Sequence, residues 1–135
     1  MAYVLNKLTP NLIVSDVARS VAFYRDVLGF SVQQTVPPTN DESPFVFAIV
    51  TSGRVEIFLN ALDAAVQEYP AFKNQPIGGT LTLFIEVQGI REVHAAIVSK
   101  VAIVMPLEDK WYGMTEFAFL DPDGYVITYA ERTAG

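Results

Sequence analysis

The chain has no cysteine and a single histidine among its 135 residues. Without cysteine there is neither a disulfide framework nor thiolate chemistry. With one histidine, His94, any nucleophile-base-acid triad would depend on that residue alone. His94 falls at the edge of the apolar set Ile90, Val93 and Ile97 of a predicted helix, and is read as a packing or surface residue. No glycine-rich phosphate loop occurs, and no apolar run is long enough to cross a bilayer. Basic residues are also scarce, with nine Lys and Arg against fifteen Asp and Glu and a formal charge of −6. That balance opposes nucleic-acid binding and favours a neutral or cationic ligand. The start of the chain, MAYVLNKLTPNL, lacks a basic segment followed by an apolar one, so a cytoplasmic location is expected. What the chain does have is apolar bulk, 51% of residues against 18% charged, which suits one globular domain over residues 1–135.

Alternation and capping signals place the elements. Leu8 to Val14 alternates as a strand, Ser15-Asp16 offers caps, and a helix is predicted from about Val17 to Leu28, ended by Gly29. Strands are expected near Phe30 to Val36, Phe45 to Val50 and Arg54 to Asn60, with a polar loop through Ser43 between the first two. The order then begins again with a strand from Leu81 to Val87, a helix from about Ile90 to Lys100, and strands near Ala102 to Met105, Thr115 to Leu120 and Tyr125 to Glu131. Leu12, Val14 and Val17 fall on Ile85, Val87 and Ile90 at a constant offset of 73 positions, as duplicated modules would. Module one spans about 5–60 and module two about 80–131; the linker of about 61–79, with a short helix before Pro70, is long enough to cover a pocket.

The segment Asp121-Pro122-Asp123-Gly124 poses a choice between a metal loop and a turn. A calcium loop needs further oxygen ligands and a closing Glu, whereas Tyr125, Val126, Ile127 and Thr128 follow. Proline preset for a corner, an aspartate able to accept downstream amides and a glycine free to take positive φ make it a turn.

PNLIVSDVARSVAFYRDVLGF at residues 10–30, GRVEIFL, KWYGMTEFAFLDPDGYVITYAE and the doubled strand-helix-three-strand order together resemble the vicinal oxygen chelate superfamily. That superfamily includes glyoxalase I, extradiol dioxygenases and bleomycin-resistance proteins. The resemblance, nearest to the bleomycin-resistance-like branch, implies an α+β fold. Two tandem βαβββ modules would form a curved mixed-sheet cup with helices on its outer face, and the protein would be a homodimer. In metal-dependent members the ion is held by side chains at positions that match Thr9, Glu56, Thr82 and Thr128 here. Three threonines and one carboxylate are a poor donor set for a divalent ion. No cofactor is therefore expected. A divalent metal enters only under the alternative of a metal-dependent lyase, isomerase or dioxygenase, with Glu86, Glu116 or Glu131 brought in by a register slip; a further alternative is a non-catalytic interaction domain.

The expected function is instead metal-independent sequestration of a small organic molecule, cationic or aromatic, as in antibiotic resistance. Alternation sets Val55, Ile57 and Leu59 opposite Glu56 and Phe58, and Leu83 and Ile85 opposite Thr82, Phe84 and Glu86. Phe45 with Phe47, and Phe117 with Phe119, are expected to share strand faces. Trp111 and Tyr112 fall in a loop expected from near Pro106. The candidate ligand-binding residues are Asn11, Phe47, Glu56, Phe58, Thr82, Phe84, Trp111, Tyr112 and Thr128, with no catalytic residue assigned. Glu56 would supply a negative contact, the aromatics a stacking surface, and Asn11, Thr82 and Thr128 hydrogen bonds.

Overall fold

The structure, a computed structural model, describes residues 2–37 and 44–133. The fold is α+β, two βαβββ modules, each built on a four-stranded mixed sheet, with three α-helices among the described residues. Module one comprises β1 (Asn11–Val14), α1 (Val17–Ala22), β2 (Ser31–Val36), β3 (Phe47–Ser52) and β4 (Val55–Ala61). The connection holds α2 (Leu62–Glu68). Module two follows with β5 (Thr82–Glu86), α3 (Ile90–Ile97), β6 (Ala102–Asp109), β7 (Met114–Leu120) and β8 (Val126–Arg132). The strand orders are β1-β4-β3-β2 and β5-β8-β7-β6. In both, the first strand runs parallel to the last, and the remaining pairs are antiparallel. The two halves share a topology as well as a pattern.

Local chemistry accounts for the boundaries. The first strand is shorter than its alternation predicts, because Pro10 has no N–H to donate; its carbonyl accepts from Phe58 at 2.9 Å and the ladder proper begins at Asn11. Residues before it carry no strand, and Tyr3, Val4, Leu5 and Leu8 stand 80–87% exposed. The Asp16 side chain accepts from the Arg19 amide and starts α1. The helix does not run evenly to Leu28. It widens over Phe23–Val27 into a π turn, in which the Leu28 amide reaches the Phe23 carbonyl at 3.2 Å. Phe45 lies just outside β3 and packs on the core, while Phe47 turns the other way onto Phe58, so the two do not share a face. The strand expected to end at Met105 continues through Pro106 to Asp109. It is an edge strand, where a missing amide is tolerated, and its register shifts between Met105 and Glu108. The polar loop expected through Ser43 includes residues 38–43, which lie outside the described residues.

One hydrophobic core serves both modules. Leu12, Ile57 and Leu59 of the first sheet and Phe117, Phe119, Ile127 and Tyr129 of the second belong to a single buried cluster, completed by α1 and α3. The His94 ring packs edge-on against Phe117, with centroids 4.9 Å apart. The core face of each sheet therefore turns inward to a shared interior. The opposite faces, with the alternate side chains, turn away from it.

The Asp121–Gly124 segment is the bolt between modules. Asp121 is 5% exposed; its Oδ1 accepts from the amides of Asp123 and Tyr125, each at 2.9 Å, and its Oδ2 accepts from the Tyr24 hydroxyl at 2.9 Å. Asp123 Oδ1 takes the Ser15 amide and hydroxyl and the Arg19 guanidinium. The Tyr125 hydroxyl donates to the Ile13 carbonyl at 2.7 Å. Its carboxylates are consumed in holding module two to the helix start of module one.

Candidate ligand-binding faces

The candidate residues distribute over two separate surfaces. On the free face of the first sheet, strand pairing sets Asn11 beside Phe58 and Ile49 in one row, Asn60 beside Phe47 in the next, and Glu56 beside Thr51 in a third. Phe47 and Phe58 meet edge to face at 5.3 Å. Asn60 donates to Asn11 at 2.8 Å, so the expected hydrogen-bonding group of Asn11 is already engaged. Glu56 is engaged as well: Lys7 reaches it at 2.6 Å.

The free face of the second sheet carries the rest. Thr82, Val126 and Leu120 form one row, Phe84, Thr128 and Ala118 the next, and Glu86, Ala130, Glu116 and Glu108 a third. Thr82 and Thr128 bond to each other through their hydroxyls at 2.7 Å, and Phe84 beside them is half exposed. Trp111 and Tyr112 occupy the hairpin between β6 and β7. Lys110 receives the Gly113 amide, and Gly113 takes a φ of +88°, which a side chain would resist. Trp111 is 94% exposed and touches another ring only at the edge of Tyr112. The Tyr112 hydroxyl donates to Glu116 Oε2 at 2.7 Å, and this bond pushes the phenol above its usual range. Glu116 itself is 4% exposed.

The four positions at which superfamily members hold a metal do not suit one here. Glu56 is neutralised by Lys7, Thr82 and Thr128 satisfy each other, and Thr9 adds only a hydroxyl. Among the described residues no three His, Cys, Asp or Glu side chains come together as a metal set. Glu86 and Glu131 do not join Glu116 as an ion-binding group. Glu86 is exposed near the edge, and Glu131 accepts the amides of Gly89 and Ile90, each at 3.0 Å, as the cap of α3, which holds its carboxyl below the usual range.

The connection between modules does cover a cavity. About 230 Å³ in volume, it lies between the outer edge of β1 and the linker and is lined by Ile13, Phe72, Pro76, Ile77, Leu81 and Tyr125 among others. Of the candidate residues only Asn11 borders it.

Glu116 was within reach of sequence reasoning. In Thr115-Glu-Phe-Ala-Phe119 the period of two that sends Phe117 and Phe119 to the core sends Glu116 and Ala118 to the free face.

Comparison with known proteins agrees with this fold. The Glyoxalase/Bleomycin resistance protein/Dioxygenase superfamily matches residues 4–129, and the chain belongs to that superfamily. A bleomycin resistance protein of Geobacillus stearothermophilus is 27% identical, the match covering 91% of this chain and 94% of that protein. Among solved structures, a glyoxalase/bleomycin resistance protein/dioxygenase from Nocardioides superposes with a TM-score of 0.78 at 19% identity, covering all of this chain and 88% of the other. The bleomycin-binding protein of Streptomyces verticillus, solved with copper(II)-bleomycin, superposes with a TM-score of 0.61 at 24% identity, over 100% and 99% of the two chains. No α-helix among the described residues is long and apolar enough to cross a membrane.

Proposed function

We propose that this protein binds a small, flat organic molecule, aromatic and carrying positive charge, on the free faces of its sheets, and holds it without bond chemistry. The observation that carries this reading is Trp111. The chain's one tryptophan is 94% exposed on a tight hairpin beside Tyr112, where it contributes nothing to the core and offers a stacking platform. Half-exposed Phe84 extends the apolar surface on the same sheet. The kinship to bleomycin resistance proteins supports a ligand of that chemical kind.

The same reading makes the protein a homodimer. The free faces of both sheets point away from the shared core, so the two sets of candidate residues line one site only when a second copy sets its first sheet against the second sheet of its partner. Tyr3, Val4, Leu5 and Leu8, exposed on the segment before β1, supply apolar surface for such an association. Location in the cytoplasm belongs to the same proposal.

The test is calorimetric titration with copper(II)-bleomycin and with 1-naphthylmethylammonium. Trp111→Ala is expected to weaken either ligand by about tenfold, the worth of one aromatic contact. An unaltered isotherm would assign Trp111 to another role and remove the support for this reading. Sedimentation of a Leu5→Ser, Leu8→Ser double variant is expected to show monomers where the unsubstituted chain shows dimers.

A further inference from the structure

The carboxylate that reads the ligand's positive charge is, we propose, Glu116, with the Tyr112 hydroxyl holding its place until the ligand arrives. This rests on the ligand-binding reading above and moves the anionic contact from Glu56 to a residue on the other sheet. The two acids differ in what already surrounds them. Glu56, with a side chain 26% exposed, is matched by the Lys7 ammonium at 2.6 Å. Glu116 is buried to 4% exposure and forms no ion pair among the described residues; its bond comes from a neutral phenol at 2.7 Å, to Oε2. Oε1 has no donor among the described residues, yet it is not sealed, since no side-chain oxygen among them is both buried and unpaired.

A carboxylate with one neutral donor has acceptor capacity for a further charge-assisted bond. Lys110, although within electrostatic reach, does not supply one, because it is bonded to Glu108. The surroundings leave room for a ligand to do so. Ala130 is directly opposite Glu116 on β8 and Ala118 is the next side chain on the same face of β7, so small residues adjoin the carboxylate there, while Glu108, bonded to Lys110, is its neighbour on β6. Tyr112, 48% exposed, closes over it from the hairpin that also presents Trp111. An aromatic molecule stacked on Trp111 would bring a short ammonium arm to the position now taken by the phenol hydroxyl. The arm supplies charge and up to three donors in its place.

The experiment uses a matched pair, 1-naphthylmethylammonium and neutral 1-naphthylmethanol, titrated into the full chain and followed by the fluorescence of Trp111. The ammonium is expected to bind about tenfold more tightly than the alcohol, as one charge-assisted bond allows. Glu116→Gln is expected to erase that preference while leaving the affinity for the alcohol in place. Tyr112→Phe, which frees Oε2 and keeps the ring, is expected to tighten the ammonium severalfold and not the alcohol. The alcohol titration shows that each variant is folded and stacks its ligand. A preference that survives Glu116→Gln, or that is lost in Glu56→Gln instead, overturns the assignment but leaves the ligand-binding reading standing. Weaker ammonium binding by Tyr112→Phe overturns the placeholder role. If neither probe binds the unsubstituted chain, both the assignment and the reading beneath it fall.

Discussion

The two modules repeat one topology and finish it differently. On module one the cap is local and the free-face polar groups are paired: Asp16 caps the helix that follows it, Lys7 answers Glu56, and Asn60 answers Asn11. Module two caps its helix at longer range and leaves more of its free face open. Its helix starts at Gly89, with a φ of +84°, and is capped by Glu131 from the last strand, while Glu116 keeps an oxygen without a donor and Trp111 stands in solvent. A duplicated scaffold needs only equivalent apolar faces to fold twice. The polar side chains on its free faces are released from that constraint and can diverge.

The joint between modules is where the comparison breaks most severely. Asp121→Ala removes the acceptor of three bonds, from Tyr24, Asp123 and Tyr125, and leaves their donors in a buried setting. The expected loss is about 3 kcal/mol in urea unfolding. Burial also raises the carboxyl pKa of Asp121, outweighing the bonds it accepts. The folded state thus holds that proton more tightly than the unfolded one, so this group's contribution to stability falls as pH rises through its folded pKa.

A smaller break is available where the linker meets that joint. A Cβ at Gly78, whose φ is +88°, would sit 2.2 Å from the Asp123 carbonyl oxygen, whereas one at Gly79 meets nothing within 4 Å. Gly78→Ala is expected to cost about 2 kcal/mol and Gly79→Ala to change stability little, both read from the urea midpoint. A loss of about 1 kcal/mol is expected for Asp16→Ala, the ordinary worth of a helix cap.

The contrast in capping is sharpest in acid. Glu131 has its pKa lowered by the Ile90 and Gly89 amides, so the unfolded state binds its proton first as pH falls. Its contribution is present above the usual glutamate pKa and is lost as pH drops through the folded value. Glu131→Gln should therefore lower the thermal midpoint at neutral pH, and the gap to the unsubstituted chain should close in acid. A gap independent of pH would mean that the two amides do not depend on the charge of Glu131.

Much of this was legible from residue order. The alternation of Val55, Ile57 and Leu59 against Glu56 and Phe58, and of Leu83 and Ile85 against Thr82 and Phe84, assigned faces correctly because a strand's side chains can only alternate. The Asp121 turn was legible for a similar reason, since proline and glycine restrict or free their own backbones whatever surrounds them. The helix after Asp16 was placed, but its π turn was not, because side-chain spacing alone does not register one extra residue per turn. On the candidate faces, Glu56 stood out in sequence as the one carboxylate at a position matching the superfamily's metal ligands, and nothing local indicates that Lys7, 49 positions away, takes it up.

By itself the sequence determined the duplicated strand and helix order and the inward faces of β4 and β5, which follow from residue type and short-range spacing. Only the tertiary structure decided that both inward faces share one core, that the free faces consequently diverge, and that Glu56 is bonded by an ammonium while Glu116 is bonded by a phenol. Those outcomes depend on which distant side chains come within bonding distance. Residue type and spacing do not report on those distances.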